Sequence, residues 1–202
     1  MSGLLKLEDC PRRIILTDDY LRAKMLAAHH LENAALISEQ DNNLIYTGNY
    51  KGAAIALVST DFDNDTILTY LCELKRLGAG EIVYVGSCIS TMSDYALRSL
   101  VLAEGGDCRL LTLACTAAAL YDIKFIQRPV LARDSIPSDY NGITELYTGA
   151  IYDCAHEFGM AALSILTISE NTETREKMEE HERRSRFYNA ARLAFELMAL
   201  TD

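Results

Sequence analysis

The stretch that decides the fold is RIILTDDYLRAKMLAAHH, residues 13–30. It begins with a short apolar run at 13–16, which predicts a buried strand. Polar residues follow, and helix-forming residues then continue to about His30. Thr17 or Asp18 is expected to cap this helix, and an acidic first turn suits the helix dipole. A strand followed directly by a capped helix is the repeating unit of an α/β protein.

The same alternation of apolar runs and helical patterns continues along the chain. Further extended segments are predicted at residues 54–59, 81–85, 125–131 and 162–168, and a hairpin-like turn is predicted at 47–49 within 44–50. Helices are predicted from a cap at Asp65 or Thr66 to residue 77, and at 109–120, 145–158 and 176–200. Residues 134–142 are predicted to form a loop. The pattern predicts a single three-layer α/β/α domain, residues 1–202, around a central mixed β-sheet.

Composition excludes several classes of protein. The formal net charge of −10 disfavours nucleic acid as a partner, because phosphate backbones require a basic surface. No run of 18 apolar residues predicts a membrane span, and the first seven residues lack the pattern of a signal peptide. The six cysteines include no C-x-x-C pair, which is typical of buried thiols in a reducing compartment, so we expect a cytoplasmic protein. No metal or cofactor motif is present.

Polar residues follow three of the predicted strands, where ligands gather in α/β sheets. They stand at 17–22, 86–88 and 169–171. Each group taken alone is more typical of caps and turns than of a ligand site. The acidic run at 61–65 resembles the start of a calcium-binding loop, but Thr66 and Cys72 occupy positions that require Gly and Glu. Cys88 could be a nucleophile, although a lone cysteine in an apolar setting is more typically inert.

Taken together, six segments follow a known order of motifs. They are TDDYLRA at 17–23, YTGNYKG at 46–52, YVGSCI at 84–89, ELYT at 145–148 with EFG at 157–159, TISE at 167–170, and ER at 182–183. They resemble P-G-D-P-x-R-A, F-T-G-x-Y-K-G, R-V-G-S-C-G, E-M-E-A with E-F-G, T-V-S-D and E-R. This is the order of the purine and uridine nucleoside phosphorylase family, and the resemblance spans about residues 14–200.

The resemblance implies a mechanism and a set of site residues. Phosphate attacks the anomeric carbon of a nucleoside and the base leaves, with catalysis supplied mainly by positioning and charge stabilisation. It implies that Glu170 is the acid, that Arg183 supports it, and that the substrate is bound by Arg22, Ser87, Glu145, Leu146 and Tyr147. It also implies a homo-oligomer, a dimer or larger, and leaves open a hetero-oligomer with an active paralogue.

Several positions depart from the family pattern. Asp18 stands where the family has a phosphate-binding glycine, Tyr84 replaces a phosphate-binding arginine, and Tyr147 replaces a ribose-binding carboxylate. Asp61 and Asp63 fall where the family has a G-M-G loop. Two like charges about 4 Å apart repel by roughly 4 kcal/mol at an effective dielectric constant of 20. We therefore expect the phosphate site to be dismantled.

Two functional hypotheses remain open from the sequence. The first is an enzyme that cleaves N-glycosidic bonds, as a pentosyltransferase or, with water, as a nucleoside hydrolase. The second is a catalytically inactive relative that binds a ligand, such as a cation attracted by Asp18, Asp61 and Asp63, or that serves as a structural or regulatory subunit. A redox or metal protein built on the cysteines is a third hypothesis with little support.

Each retained site residue also has a structural interpretation. Arg22 could pair with Asp18 or Asp19 at the start of its helix. Ser87 could cap a turn. Glu170 and Arg183 could form an ion pair without a catalytic role.

Overall fold

The computed structural model describes residues 10–40, 43–59, 64–132, 136–137, 139–185 and 187–201, without side-chain detail at 40, 64–66 and 184–185. Within these residues, eleven strands form one sheet. The strands are β1 Arg13–Thr17, β2 Glu32–Gln40, β3 Asn43–Tyr50, β4 Ala53–Ser59, β5 Glu81–Ser90, β6 Leu100–Ala103, β7 Ile126–Arg128, β8 Val130–Ala132, β9 Ile143–Glu145, β10 Ala161–Asn171 and β11 Glu176–Lys177. The helices are α1 Tyr20–His30, α2 Asn64–Arg76, α3 Cys108–Leu120, α4 Thr148–Glu157, α5 Glu180–Ser185 and α6 Tyr188–Leu200.

The sheet is mixed, with a parallel centre. The main strand order is β2-β3-β4-β1-β5-β10-β6-β7. Strands β4, β1, β5 and β10 run parallel to one another, so their carboxyl ends share one edge. Strand β9 pairs with the end of β5 and β11 with the end of β10, both antiparallel, and these pairings extend that edge.

Two layers of helices cover the sheet. One buried cluster joins α1, α3 and α6 to one face through residues such as Leu26, Ala114 and Leu193. The second cluster joins α2 and α4 to the opposite face through Leu71 and Ile151. The predicted three-layer α/β/α architecture with a mixed sheet is confirmed. None of the described helices is long and apolar enough to cross a membrane.

Several predicted boundaries are wrong for local reasons. The cap of α1 is Asp19, whose side chain accepts the Arg22 N–H at 2.9 Å, rather than Thr17 or Asp18. Helix α2 begins at Asn64, before its predicted caps. The helix predicted over 145–158 begins at Thr148, because residues 143–145 pair with β5 and β8. The helix predicted over 176–200 is divided into β11, α5 and α6.

The turn predicted at 47–49 is also wrong, because β3 runs straight through it. Gly48 instead allows β2 and β3 to approach each other closely. A Cβ at this position would lie 2.9 Å from the carbonyl oxygen of Glu32 on β2. The real turn between β3 and β4 is Lys51-Gly52, where both residues adopt positive φ angles of 49° and 84°. Such angles are typical of tight hairpin turns.

Candidate functional site

The predicted site residues gather at the carboxyl-terminal edge of β1, β5 and β10. Side chains alternate between the faces of a strand, and Val83 and Val85 of β5 lie in the core beneath α1 and α6. Ser87 therefore points to that same face. Tyr84 and Cys88 belong to the opposite core, beneath α2 and α4. The edge thus presents two groups of side chains, one on each face of the sheet.

Arg22 is the centre of the first group, and its charge is already matched within the chain. Its residue is 3% exposed, and Nη1 donates to Asp18 Oδ1 at 2.5 Å and to Thr17 Oγ1 at 3.0 Å. The interpretation that Arg22 pairs with Asp18 is therefore confirmed. An anion entering here would have to displace the Asp18 carboxylate.

Arg22 also contacts α5 and the residue that precedes α6. Its Nη2 donates to the backbone oxygen of Arg183 at 3.2 Å, and its guanidinium carbon lies 4.2 Å from the centroid of the Phe187 ring. The buried Nε has no hydrogen-bond partner among the described residues. The hydrogen-bonding capacity of Arg22 is therefore not fully satisfied, although its charge is balanced.

Tyr84 occupies the position of the family's arginine, on the other face. It is fully buried, and its ring folds along β5 over Gly86, where a Cβ would overlap the phenol oxygen. The hydroxyl donates to Glu145 Oε1 at 3.3 Å. Burial raises the pKa of Tyr84 well above its ordinary value, and the nearby carboxylates of Asp18 and Glu145 add to this, so Tyr84 is a neutral donor. Its ring meets that of Tyr147 edge to face at 6.3 Å.

Glu145 is turned inward to cap α4. Its carboxylate accepts the N–H groups of Tyr147 at 2.9 Å and Thr148 at 2.7 Å. Burial raises the pKa of Glu145, the backbone N–H groups oppose that change, and the Asp18 charge reinforces it. The carboxyl group predicted to contact a sugar is therefore committed to the helix start. Leu146 is 39% exposed, and Tyr147 is half-buried.

Glu170 lies at the end of β10 and pairs with a residue that the sequence did not indicate. Its Oε2 lies 2.8 Å from Lys177 Nζ on β11. The interpretation that Glu170 pairs with Arg183 is wrong, because the described Arg183 side chain is exposed and forms no ion pair with Glu170. A turn signal in Asn171-Thr172-Glu173-Thr174 could have predicted the hairpin that brings Lys177 back.

The surroundings of Ser87 and Cys88 decide between the alternative interpretations of these two residues. Ser87 lies inside β5, so the interpretation that it caps a turn is wrong. Cys88 is buried, and burial raises the pKa of its thiol well above the ordinary value, which disfavours the reactive thiolate. Asp61 and Asp63, which fall where the family has a G-M-G loop, lie outside the described residues.

Known proteins resemble the chain over nearly its whole length. The purine nucleoside phosphorylase DeoD-type of Mannheimia succiniciproducens is 28% identical over 229 residues, covering 94% of this chain and 93% of that protein. The corresponding protein of Haemophilus ducreyi is 26% identical over 221 residues, with coverages of 94% and 93%. No protein-family model matches the chain.

Two solved structures share the fold. Purine nucleoside phosphorylase from Toxoplasma gondii in complex with immucillin-H has a TM-score of 0.85 at 14% identity, covering 96% of this chain and 93% of that one. Uridine phosphorylase from Vibrio fischeri, complexed with 6-hydroxy-1-naphthoic acid, has a TM-score of 0.78 at 20% identity, covering 95% and 91%. These similarities confirm the resemblance to nucleoside phosphorylases. The roles implied for individual site residues stay predictions.

Proposed function

We propose that this chain, a relative of the nucleoside phosphorylases, binds a nucleoside or a closely related uncharged molecule without using phosphate as a co-substrate. The ligand would lie at the carboxyl-terminal edge of β1, β5 and β10. One observation carries the proposal, which is the ion pair of the buried Arg22 with the partly exposed Asp18. The carboxylate of Asp18 accepts a hydrogen bond from the guanidinium group of Arg22, which would otherwise bind a phosphate oxygen.

The electrostatics of the edge support the exclusion of phosphate. Asp18 and Glu145 bring two carboxylates to this edge, and each of them raises the pKa of the Tyr84 hydroxyl. Arg22 is the cation beside them, and it already donates to Asp18. A phosphate ion would have to break that pair and accept repulsion from the released carboxylate.

The resemblance and two retained groups support the binding of a nucleoside. The similar curated proteins are named as purine nucleoside phosphorylases, and the similarity covers 94% of this chain. Ser87, inside the last part of β5, and Glu170, near the end of β10, keep the hydroxyl and carboxyl groups expected from the family motifs. Tyr147 adds a half-buried aromatic ring, which suits a planar base.

Hydrolysis of an N-glycosidic bond is the second candidate. It is favoured by Glu170, whose side chain keeps the carboxyl group of the implied acid and is 30% exposed, so water reaches it. Release of free base from inosine, adenosine or uridine without phosphate, measured by chromatography, would establish this activity. No release of base would contradict it, and a mutant Glu170→Gln that releases base as fast as the parent chain would contradict the role of Glu170 as the acid.

A homo-oligomer forms part of the same proposal. Strand β2 is an edge of the sheet, and its neighbouring residues Leu36 and Ile37 are 44% and 38% exposed. A long apolar edge strand is a surface that proteins normally cover. Light scattering on the eluting peak of a sizing column measures the mass directly, and a mass of one chain would contradict this part.

The decisive experiment compares phosphate and inosine as ligands of the parent chain and of Asp18→Gly. We expect inosine to bind the parent chain in calorimetry and to raise its Tm, because a ligand that binds the folded state stabilises it. Phosphate should have no effect on the parent chain. In Asp18→Gly, Arg22 loses its internal partner, so phosphate should bind and stabilise.

The matched control is Asp122→Gly, which removes one negative charge from an exposed position with a φ angle of 51° that glycine tolerates. This variant should respond to both ligands like the parent chain. Binding of phosphate to the parent chain, or phosphorolysis of a nucleoside by it, would overturn the claim about phosphate. A parent chain that binds none of the nucleosides would overturn the claim about the ligand.

A further inference from the structure

The hairpin of β10 and β11 fixes an acid and a base side by side at the candidate site. Glu170 and Lys177 stand directly opposite each other in the antiparallel pairing, so their side chains share one face. Glu170 Oε2 and Lys177 Nζ lie 2.8 Å apart, with the side chains 30% and 63% exposed. The pair is therefore formed in the folded chain and still reachable from solvent.

A β-bulge selects which residue of β10 faces the site. In the pairing with β5, Thr167 lies beside Ser87, but the register then shifts and Glu170 lies beside Ile89. Because of this shift, Glu170 instead of Ser169 points to the same face as Ser87. Bulges commonly re-aim a side chain next to a functional site.

Hydrogen bonds fix the hairpin both internally and against residues 92–95. The Asn171 side chain donates to the carbonyl groups of Met92 and Tyr95, both at 2.8 Å, and accepts the N–H of Glu173 at 3.1 Å. The Met178 N–H bonds the Ser169 carbonyl at 2.8 Å and closes the base of the hairpin. Lys177 is thus delivered to Glu170 by a fixed backbone.

The pair contributes little to stability. Ion pairs between solvent-exposed side chains contribute little or nothing measurable to stability. Arg183, which the resemblance implies as the partner of Glu170, has an exposed side chain and forms no ion pair with Glu170 among the described contacts. The geometry therefore leaves Lys177 as the described cation that orients Glu170.

We propose that Lys177 is the positioning residue of the ligand site, and that Glu170 and Lys177 form a fixed acceptor–donor couple for the base of the ligand. An ionised carboxylate accepts hydrogen bonds at two oxygens, and an ammonium group has three donors, so each keeps capacity beyond the pair. The couple matches a heterocycle edge with an N–H donor beside a carbonyl or ring-nitrogen acceptor. This inference rests on the proposed function.

The test separates orientation from simple charge balance. We would measure Tm without ligand, and the Kd of inosine and uridine by calorimetry, for Lys177→Met, Lys177→Arg and the exchange Glu170→Lys with Lys177→Glu. Lys24→Met is the matched control, because Lys24 forms a similarly exposed pair with Glu39 at 3.4 Å. We expect Lys177→Met to weaken binding about tenfold, as for one lost hydrogen bond to a charged group, with little change in Tm. Lys177→Arg should restore binding.

The exchange variant decides the question. It should keep the Tm of the parent chain, because the ion pair is reformed, and lose ligand binding, because donor and acceptor have changed places. Binding at parental strength in the exchange variant or in Lys177→Met would overturn the positioning role alone. The same holds if Arg183→Met weakens binding and Lys177→Met does not. If neither ligand binds the parent chain, the proposed function fails and this inference fails with it.

Discussion

Two ion pairs in this molecule, each with one buried partner, have opposite characters. The site edge comprises Asp18, Arg22, Tyr84 and Glu145. The hairpin cluster comprises Tyr50, Lys51, Tyr121 and Glu196, where the β3–β4 turn meets α3 and α6. It is separate from the β10–β11 hairpin that carries Glu170 and Lys177. The cation Arg22 is buried in the first pair and the carboxylate Glu196 in the second, with side chains 4% and 7% exposed. They differ in how completely their polar atoms are hydrogen-bonded.

The hairpin cluster is fully matched. Lys51 Nζ donates to both oxygens of Glu196, at 2.6 and 2.8 Å, and to the Tyr121 hydroxyl at 2.8 Å. The Tyr50 hydroxyl donates to the same carboxylate at 2.8 Å. Burial acts to raise the pKa of Glu196, but these hydrogen bonds outweigh it and the pKa is lowered. This is the pattern of a pair that stabilises the fold.

The site edge is matched only in part. Arg22 keeps a buried Nε without a partner among the described residues, and Glu145 has a raised pKa. Local rules are typically broken at functional sites, where another requirement competes with stability. The contrast suggests that the site edge keeps the constraints of a binding site, whereas the hairpin cluster serves the scaffold. The resemblance to the family shows the same contrast. The segment YTGNYKG, which contains Tyr50 and Lys51, keeps the family motif, whereas TDDYLRA departs from its motif at Asp18.

The largest effect should come from removing the counter-ion at the site edge. Asp18→Ala leaves the Arg22 charge buried, and breaking a buried pair in this way costs about 3–5 kcal/mol. We expect the lower end, because Arg22 keeps Thr17 and two backbone oxygens as acceptors. Urea unfolding measures the loss. Addition of phosphate should recover part of it, and the double variant with Arg22→Met should lose less than Asp18→Ala alone.

A loss below about 1 kcal/mol in Asp18→Ala would mean that Arg22 reaches solvent or finds another partner. The proposed internal neutralisation would then be wrong. Asp153→Ala is the control here, since it removes the same charge from an exposed position of α4 with ordinary helical backbone.

A smaller effect is expected from the hairpin cluster. Glu196→Ala leaves Lys51, whose side chain is 49% exposed and can be solvated again. The loss should therefore be about 1–2 kcal/mol, mainly from the unpaired Tyr50 hydroxyl and lost hydrogen bonds. Phosphate should not restore stability in this variant, because no buried cation is left without an anion. A phosphate rescue equal to that of Asp18→Ala would remove the distinction between the two regions.

The sequence predicted the scaffold better than the contacts at the site. Strands β1, β4, β5 and β10 are buried apolar runs, so their patterns were sufficient. Strand β2 was missed, because it lies at an edge and residues 32–37 are all exposed, which removes the alternation of apolar and polar positions. The helix-forming residues of 176–200 suggested one helix, but Phe187 packs against Arg22 and separates α5 from α6.

Whether a contact at the site could be predicted from the sequence depends on how far apart its two residues lie along the chain. Arg22 and Asp18 are four residues apart at a helix start, so their pairing could be proposed from spacing. The pairing of Glu170 with Lys177 depends on a hairpin and a bulge, and that of Tyr84 with Glu145 joins residues 61 positions apart. Tertiary packing decides such contacts, and a single sequence carries little signal for them.

The finest test of the comparison is the dependence of stability on pH. The pKa of Glu145 is raised above its ordinary 4.5, so the folded chain holds a proton that the unfolded chain releases, and stability falls as pH rises from 4.5 through the folded pKa. The pKa of Glu196 is lowered, so its contribution is lost as pH falls from 4.5 through the folded pKa. The two carboxylates therefore act with opposite slopes on opposite sides of pH 4.5.

Urea unfolding of the parent chain, Glu145→Gln and Glu196→Gln from acid to neutral pH separates the two contributions. Glu145→Gln should gain stability relative to the parent chain as pH rises above 4.5, and Glu196→Gln should lose less than the parent chain as pH falls below it. Each slope is at most about 1.4 kcal/mol per pH unit for one proton. Parallel slopes in the two variants would show that the carboxylates share one kind of environment. The distinction between an unmatched site edge and a matched scaffold would then fail, even if both ion pairs form as described.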